Sequence, residues 1–248
     1  TTLVRESNPR EALNAFKDKQ IFRIDMRHIL GYTTEFWDFS AELTDLVEVV
    51  LAGANRTCLD ELISRYGSPT LENGVECRFT ILALGKCGGR ELGFASDIEL
   101  MFVYEGLGKT NGLKCVPNSQ FFEEWVRAIE KTIQARQEGT FHLDLQLRPY
   151  GKAGSLAVTL DSFNKYYAPG GPAWPYERQS LVKLRPIVGD TRFGEILSGL
   201  RDGFVYNGNP FDITAMRAMR ERQVRHLTSA GTFNAKFSPG GLVDLEYL

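Results

Sequence analysis

Histidine and cysteine are scarce: the 248 residues hold 3 His and 4 Cys. Cys58, Cys77, Cys87 and Cys115 form no CxxC pair and stand apart from His28, His142 and His226, which excludes the usual zinc spacings. Reduced thiols in a cytoplasmic protein are the plain expectation. A surplus of charge is missing as well. The 29 Lys+Arg nearly balance 31 Asp+Glu, a net −2, whereas binding along a nucleic-acid backbone draws on an excess of cations. Long apolar runs are absent too. The longest, Leu46 to Ala54, is interrupted by Glu48 and falls well short of the roughly 20 residues that cross a bilayer. No signal-peptide pattern, internal repeat or low-complexity stretch is present. With 43% hydrophobic and 24% charged residues, the composition is that of a folded globular chain. It begins Thr-Thr and stops at Leu248 inside an apolar-periodic run, as a piece of a longer polypeptide would.

The apolar pattern changes period twice. Asn8-Pro9 predicts a capped helix that ends near Gly31, and Leu43, Leu46, Val47, Val50 and Leu51 predict a second over 41–52. Pro69 and Asn73-Gly74 mark a loop. Phe79 to Leu84 then reads as a buried strand. Asp97 to Glu105 alternates, with Ile98, Leu100, Phe102 and Tyr104 on one face and Asp97 and Glu99 on the other. A helix follows over 120–136, with Phe121, Trp125, Ile129 and Ile133 on one side. Phe141 to Arg148 alternates again, as a strand would. From Asp161, an expected N-cap, the pattern reads helical to the end. That stretch includes Arg178, Lys183 and Arg185 beside Glu177, a basic helix over 213–227, and a last helix from Leu242 to Leu248. Trp125 and Trp174 read as core residues. This order predicts an α+β fold, a small mixed sheet flanked by helices.

Chemistry concentrates between Leu84 and Glu105 (LGKCGGRELGFASDIELMFVYE). Asp97 and Glu99, two apart on a strand, present two carboxylates side by side. Such a pair favours a hard divalent cation. Gly85, Gly88 and Gly89 let backbone N–H groups approach an anion closely, and Lys86 and Arg90 add positive charge. Asp144 is a third carboxylate on another strand; pairing the two strands would bring it beside the first two. Three carboxylates facing a glycine-rich turn suit nucleotidyl transfer with two metal ions.

The ordered motifs resemble a known family. Gly85 to Leu100 (GKCGGRELGFASDIEL) looks like the DNA polymerase β type of nucleotidyltransferase. With DLQLRPYG (144–151), YERQSLVKLR (176–185) and GGLVDLE (240–246), the chain resembles the bacterial glutamine synthetase adenylyltransferase family. The resemblance implies a polymerase-β-like core over 76–160, a helical segment over 1–75 and a helical extension over 161–248. It implies Asp97, Glu99 and Asp144 as catalytic metal ligands. Gly85, Lys86, Gly88, Gly89, Ser96, Arg148, Lys183 and Arg185 are implied on the nucleotide or phosphate side, with Gly240-Gly241 and Asp244 near the site. Two departures stand out: Glu99 where the family usually has Asp, and Tyr176 where Trp is commoner, with Trp174 close by to supply an aromatic. Mg²⁺ (or Mn²⁺) is the implied metal, ATP the substrate and glutamine synthetase the protein partner. A nitrogen-signalling PII-type regulator is implied through chain beyond this piece. The implied reaction is AMP transfer to a tyrosine hydroxyl, with phosphorolytic removal, or nucleotide binding without turnover, as the alternatives.

Overall fold

A computed structural model describes residues 8–135, 141–206, 208 and 212–247. Helix α1 (Pro9–Ile29) starts as its sequence dictates: Asn8 Oδ1 accepts the Arg10 amide at 3.1 Å and Pro9 fills the first helical position. Helix α2 (Phe36–Tyr66) is far longer than the span 41–52, because its buried stripe continues through Ala54, Cys58 and Leu62. Strand β1 (Pro69–Leu71) begins at Pro69, an expected loop residue. It pairs with β4 (Gly108–Thr110) in a two-stranded sheet, with Thr70 bridging Glu76 as well, and Pro69 stands at the first position of the strand, where a missing N–H is tolerated. Asn73-Gly74 does turn, with Gly74 at φ +81.

The main sheet is built on β2 (Phe79–Ala83) and β3 (Ile98–Tyr104), paired antiparallel from Phe79↔Tyr104 to Ala83↔Leu100. Between them lies α3 (Gly85–Gly88), a single helical turn. Ile98, Leu100, Phe102 and Tyr104 face a core shared with α2 and with α4 (Asn118–Thr132), where Trp125 is fully buried and donates to Asn55 Oδ1 at 3.0 Å. The opposite face is not polar beyond Glu99. Met101 and Val103 bury into a second cluster with Leu82, Phe163, Phe193 and Leu197, because helices cover both sides of the sheet. Helix α4 ends at Thr132, and Arg136, expected as the helix end, lies outside the described residues.

The free edge of β3 takes two short parallel strands in succession. Strand β5 (Leu143–Asp144) pairs Ile98↔Leu143 and Glu99↔Asp144; β6 (Ala157–Thr159) pairs from Phe102↔Ala157 to Tyr104↔Thr159. The strand expected over 141–148 is thus reduced to two residues. Phe141 has φ +57 and Asp144 Oδ1 takes the Gln146 amide at 2.8 Å, so the chain turns on both sides. Helix α5 (Leu160–Tyr167) is capped by Thr159, whose Oγ1 accepts the Ser162 amide, not by Asp161. After α6 (Pro175–Gln179) and a 3-10 turn (Ser180–Lys183), the stretch read as helical contains a strand. This is β7 (Arg185–Gly189), antiparallel to β2 with a register shift between Ile81 and Leu82 opposite Pro186. Arg185 therefore lies on the sheet. Helices α7 (Thr191–Val205), α8 (Ile213–Leu227) and α9 (Leu242–Glu246) follow; Leu248, expected within the last helix, lies outside the described residues. No helix among the described residues is long and apolar enough to cross a membrane.

Candidate active site

Glu99 and Asp144 are register partners on adjacent parallel strands, so their side chains leave the same face of the sheet about 4.8 Å apart along the hydrogen-bonding direction. Asp97 sits just before β3. The expected pairing of the two strands is met for Glu99 and Asp144, whereas Asp97 falls outside the strand that was to present it. Glu99 lies over α3: its Oε2 accepts the Lys86 amide at 3.3 Å, and a Cβ on Gly85 would stand 1.5 Å from that oxygen. Gly85 (φ +48) is therefore a glycine for two reasons, backbone conformation and the room Glu99 occupies.

Burial raises the Glu99 carboxyl above its ordinary range. Repulsion from Asp144 and Asp97 adds to this, while the Lys86 amide and the Lys236 charge oppose it. Asp97 Oδ1 meets His142 Nδ1 at 3.1 Å, and both side chains are exposed. With Asp97 turned to His142 and Asp144 to Gln146, no three His, Cys, Asp or Glu among the described residues close on a single point for a metal ion. The chemistry of the donors nonetheless fits a hard divalent cation: all are carboxylate oxygens, and their mutual repulsion falls on half-buried Glu99.

The edge opens into a cleft of about 510 Å³, large enough for a nucleotide-sized ligand. Gly85, Lys86, Ser96, Asp97 and Glu99 form its floor. Tyr176, Gln179, Ser180 and Lys183 form one wall; Met219, Gln223, Lys236, Phe237 and Tyr247 form the other. Lys183 Nζ is held by Glu91 at 2.7 Å, and Ser96 Oγ accepts the Gly93 amide at 2.9 Å. Trp174, expected in the core, is 63% exposed and stacks on Tyr176 at 6.4 Å.

The family described as glutamate-ammonia ligase adenylyltransferase matches residues 2–198. The chain belongs to that family. A curated relative from Thioalkalivibrio sulfidiphilus, named bifunctional glutamine synthetase adenylyltransferase/adenylyl-removing enzyme, is 32% identical over 95% of this chain and 24% of its own length. Enzymes of the same name from Mannheimia succiniciproducens and Hahella chejuensis are 33% and 31% identical over 96% and 99% of the chain, and over 25% and 26% of their own lengths. The chain thus spans about a quarter of the length of these relatives.

Within this chain, several motif residues do work other than facing the cleft. The Gly88 and Gly89 amides donate to the Leu84 and Gly85 carbonyls at 2.8 and 3.0 Å, so they are spent inside α3. Gly88 is small because a Cβ would meet the Lys183 carbonyl oxygen at 1.9 Å. Among these glycines, only Gly85 lines the cleft. Arg148, expected on the nucleotide side, is buried and donates to the carbonyls of Leu145 (2.5 Å) and Gly154 (3.3 Å). It clamps the loop that follows Asp144. Arg185 clamps α3 through the carbonyls of Gly88 (3.0 Å) and Cys87 (3.1 Å), with Glu48 of α2 at 2.7 Å. Glu177 and Arg178 tie α6 to α5: Glu177 takes the Tyr166 hydroxyl, and Arg178 donates to the Tyr167 carbonyl. Asp244 pairs with Arg220 and does not line this cleft, whereas its neighbours Val243 and Glu246 do. The sequence reading missed Gln179, Met219, Gln223, Lys236, Phe237 and Tyr247. Gln179 lies within the 176–185 motif, Met219 and Gln223 on the basic helix 213–227, and the others beside the 240–246 motif, with no chemical signal to set them apart.

Proposed function

We propose that this chain is a nucleotidyltransferase module that moves AMP from ATP to a tyrosine hydroxyl of glutamine synthetase in the cytoplasm. In this reading residues 1–75, 76–160 and 161–248 act as one module. The observation that carries it is the parallel β3–β5 pairing, which sets Asp144 beside Glu99, itself a lining residue with Asp97 of a cleft that also holds Lys86, Lys183 and Lys236. Asp97, Glu99 and Asp144 would hold Mg²⁺, with Mn²⁺ as a substitute. Bound there, the cation would neutralise phosphate charge and polarise the α-phosphorus.

The chain's own groups account for the rest. Lys86 and Lys183 both line the cleft, which places positive charge where a triphosphate would lie. The acceptor tyrosine, with an ordinary pKa of about 10, loses its proton to a carboxylate of the floor as its oxygen attacks the α-phosphorus. The new O–P bond forms as the bond to pyrophosphate breaks, and pyrophosphate leaves. The Trp174–Tyr176 stack at the cleft wall gives a protein substrate an aromatic surface.

The test is to incubate the 248-residue chain with glutamine synthetase and α-labelled ATP in Mg²⁺. A parallel reaction uses adenylylated glutamine synthetase and phosphate. The expected result is label transfer in the first, lost in Asp97→Ala and in Asp144→Ala. ADP release in the second reaction alone would reverse the direction. ATP binding without turnover in either would make the chain a nucleotide-binding module, and full activity in both variants would sink the assignment of the site.

A further inference from the structure

Lys236 lines the cleft with Asp97 and Glu99, although more than 130 residues separate it from them in the chain. A brace between α8 and α9 puts it there. Arg220 donates Nε to Asp244 Oδ1 at 2.5 Å, Nη1 to the Phe237 carbonyl at 2.9 Å and Nη2 to the Ser238 carbonyl at 3.1 Å. The other oxygen of Asp244 takes the Gly240 amide at 2.6 Å. Asn234 Oδ1 accepts the amides of Lys236 and Phe237, and the Lys236 carbonyl accepts the Val243 amide at 3.1 Å. Gly241 completes the brace, since a Cβ there would stand within 3.0 Å of three carbonyl oxygens, that of Lys236 among them.

The backbone of Lys236 is therefore fixed on both sides while its side chain is left open. Its ammonium stands 5.0 Å over the Phe237 ring, and among the described residues no carboxylate forms an ion pair with it. Lys183 on the opposite wall differs in this, being tied to Glu91. A cleft with a carboxylate floor repels an anionic ligand unless cations on the walls outweigh it. A lysine on a rigid loop supplies that charge at the end of a reaching stem.

We propose that Lys236 binds the polyphosphate of the nucleotide, and that Arg220 and Asp244 are positioning residues that hold it over the carboxylate edge. This rests on the nucleotide-transfer reading of the cleft. It also gives the GGLVD motif (240–244) and the basic helix a shared task.

Equilibrium binding of ATP, adenosine and tripolyphosphate to the full chain tests it. Lys236→Met weakens ATP and tripolyphosphate about tenfold, the scale of one charge-assisted contact, and leaves adenosine and the melting temperature unchanged. Lys236→Arg restores most of the loss. Asp244→Asn repeats the loss but adds nothing in the Lys236→Met background, as expected for groups that act as one unit. Arg220→Lys, which keeps a cation near Asp244 and gives up the two carbonyl bonds, falls between. Unchanged tripolyphosphate affinity in Lys236→Met overturns the binding role, and so does an equal loss for adenosine. Full additivity of Asp244→Asn overturns the positioning role. A wild-type chain that binds neither ATP nor tripolyphosphate overturns the nucleotide reading itself, whereas wild-type binding that Lys236→Met leaves intact removes this inference alone.

Discussion

At Gly85 the chain passes through φ +48, and a methyl group added there would sit 1.5 Å from the Glu99 carboxylate. Gly85→Ala is expected to cost about 1–2 kcal/mol for the left-handed backbone and to displace Glu99 as well, cutting AMP transfer at least tenfold. Gly74→Ala is the control. It has φ +81 but open space around it, so it should show the urea-denaturation loss without the activity loss. Glu99 itself carries a stability penalty. Its folded-state pKa is raised by burial and by Asp144 and Asp97, so folding favours the protonated form. The penalty is absent at low pH and enters as pH rises from the unfolded value, about 4.3, through the raised folded one. Glu99→Gln should therefore raise the urea midpoint at pH 7 without divalent cations, lose that gain near pH 4, and abolish transfer. Asp97 falls one residue before β3, where strand alternation no longer places it, whereas Glu99 and Asp144 were legible as neighbours because two alternating segments, once paired, set them side by side. The buried Arg148 was not, since an arginine that clamps carbonyls and one that binds phosphate are the same letter in the same motif.

At the scale of elements, β2, β3 and α4 could be read from their period, β5 was read but too long, and β6 and β7 could not be read. Strand β5 has only two paired residues inside an eight-residue alternation, because Phe141 and the Asp144–Gln146 turn bend the chain out of the sheet. Strand β7 carries Pro186 and follows a 3-10 turn with no break in the helical-looking pattern; it pairs with β2 across more than 100 residues of sequence, a contact that local spacing does not encode. The clamp after β5 can be tested directly. Arg148→Met leaves the Leu145 and Gly154 carbonyls without their donor. This is expected to cost about 1–3 kcal/mol and to loosen Asp144. Urea denaturation measures the first effect. The second should appear as a lower kcat for AMP transfer with little change in the KM for ATP.

Across the whole molecule the site joins two halves held in different ways. Strand β3 is gripped between two apolar clusters, one built with α2 and α4 and the other with α5 and α7. Helix α8 has no buried residue; it lies against α6, and Arg220 and Asp244 tie it to α9. That mixed sheet with helices on both faces was the part of the fold the alternating pattern announced. The attachment of α8 and α9 across the cleft was not, because a basic helix with no buried stripe gives no sign of what it faces. Strand β3 has a consequence for the exchange of backbone hydrogens with solvent. Its amides can open only when both clusters come apart, so their protection should equal that of global unfolding. The amides of α8 and of 234–247 should exchange orders of magnitude faster. Deuterium uptake followed by mass spectrometry should then show ATP slowing exchange in α8 and α9 and leaving β3 unaltered: one jaw already as rigid as the protein can be, the other stiffened by what it closes on.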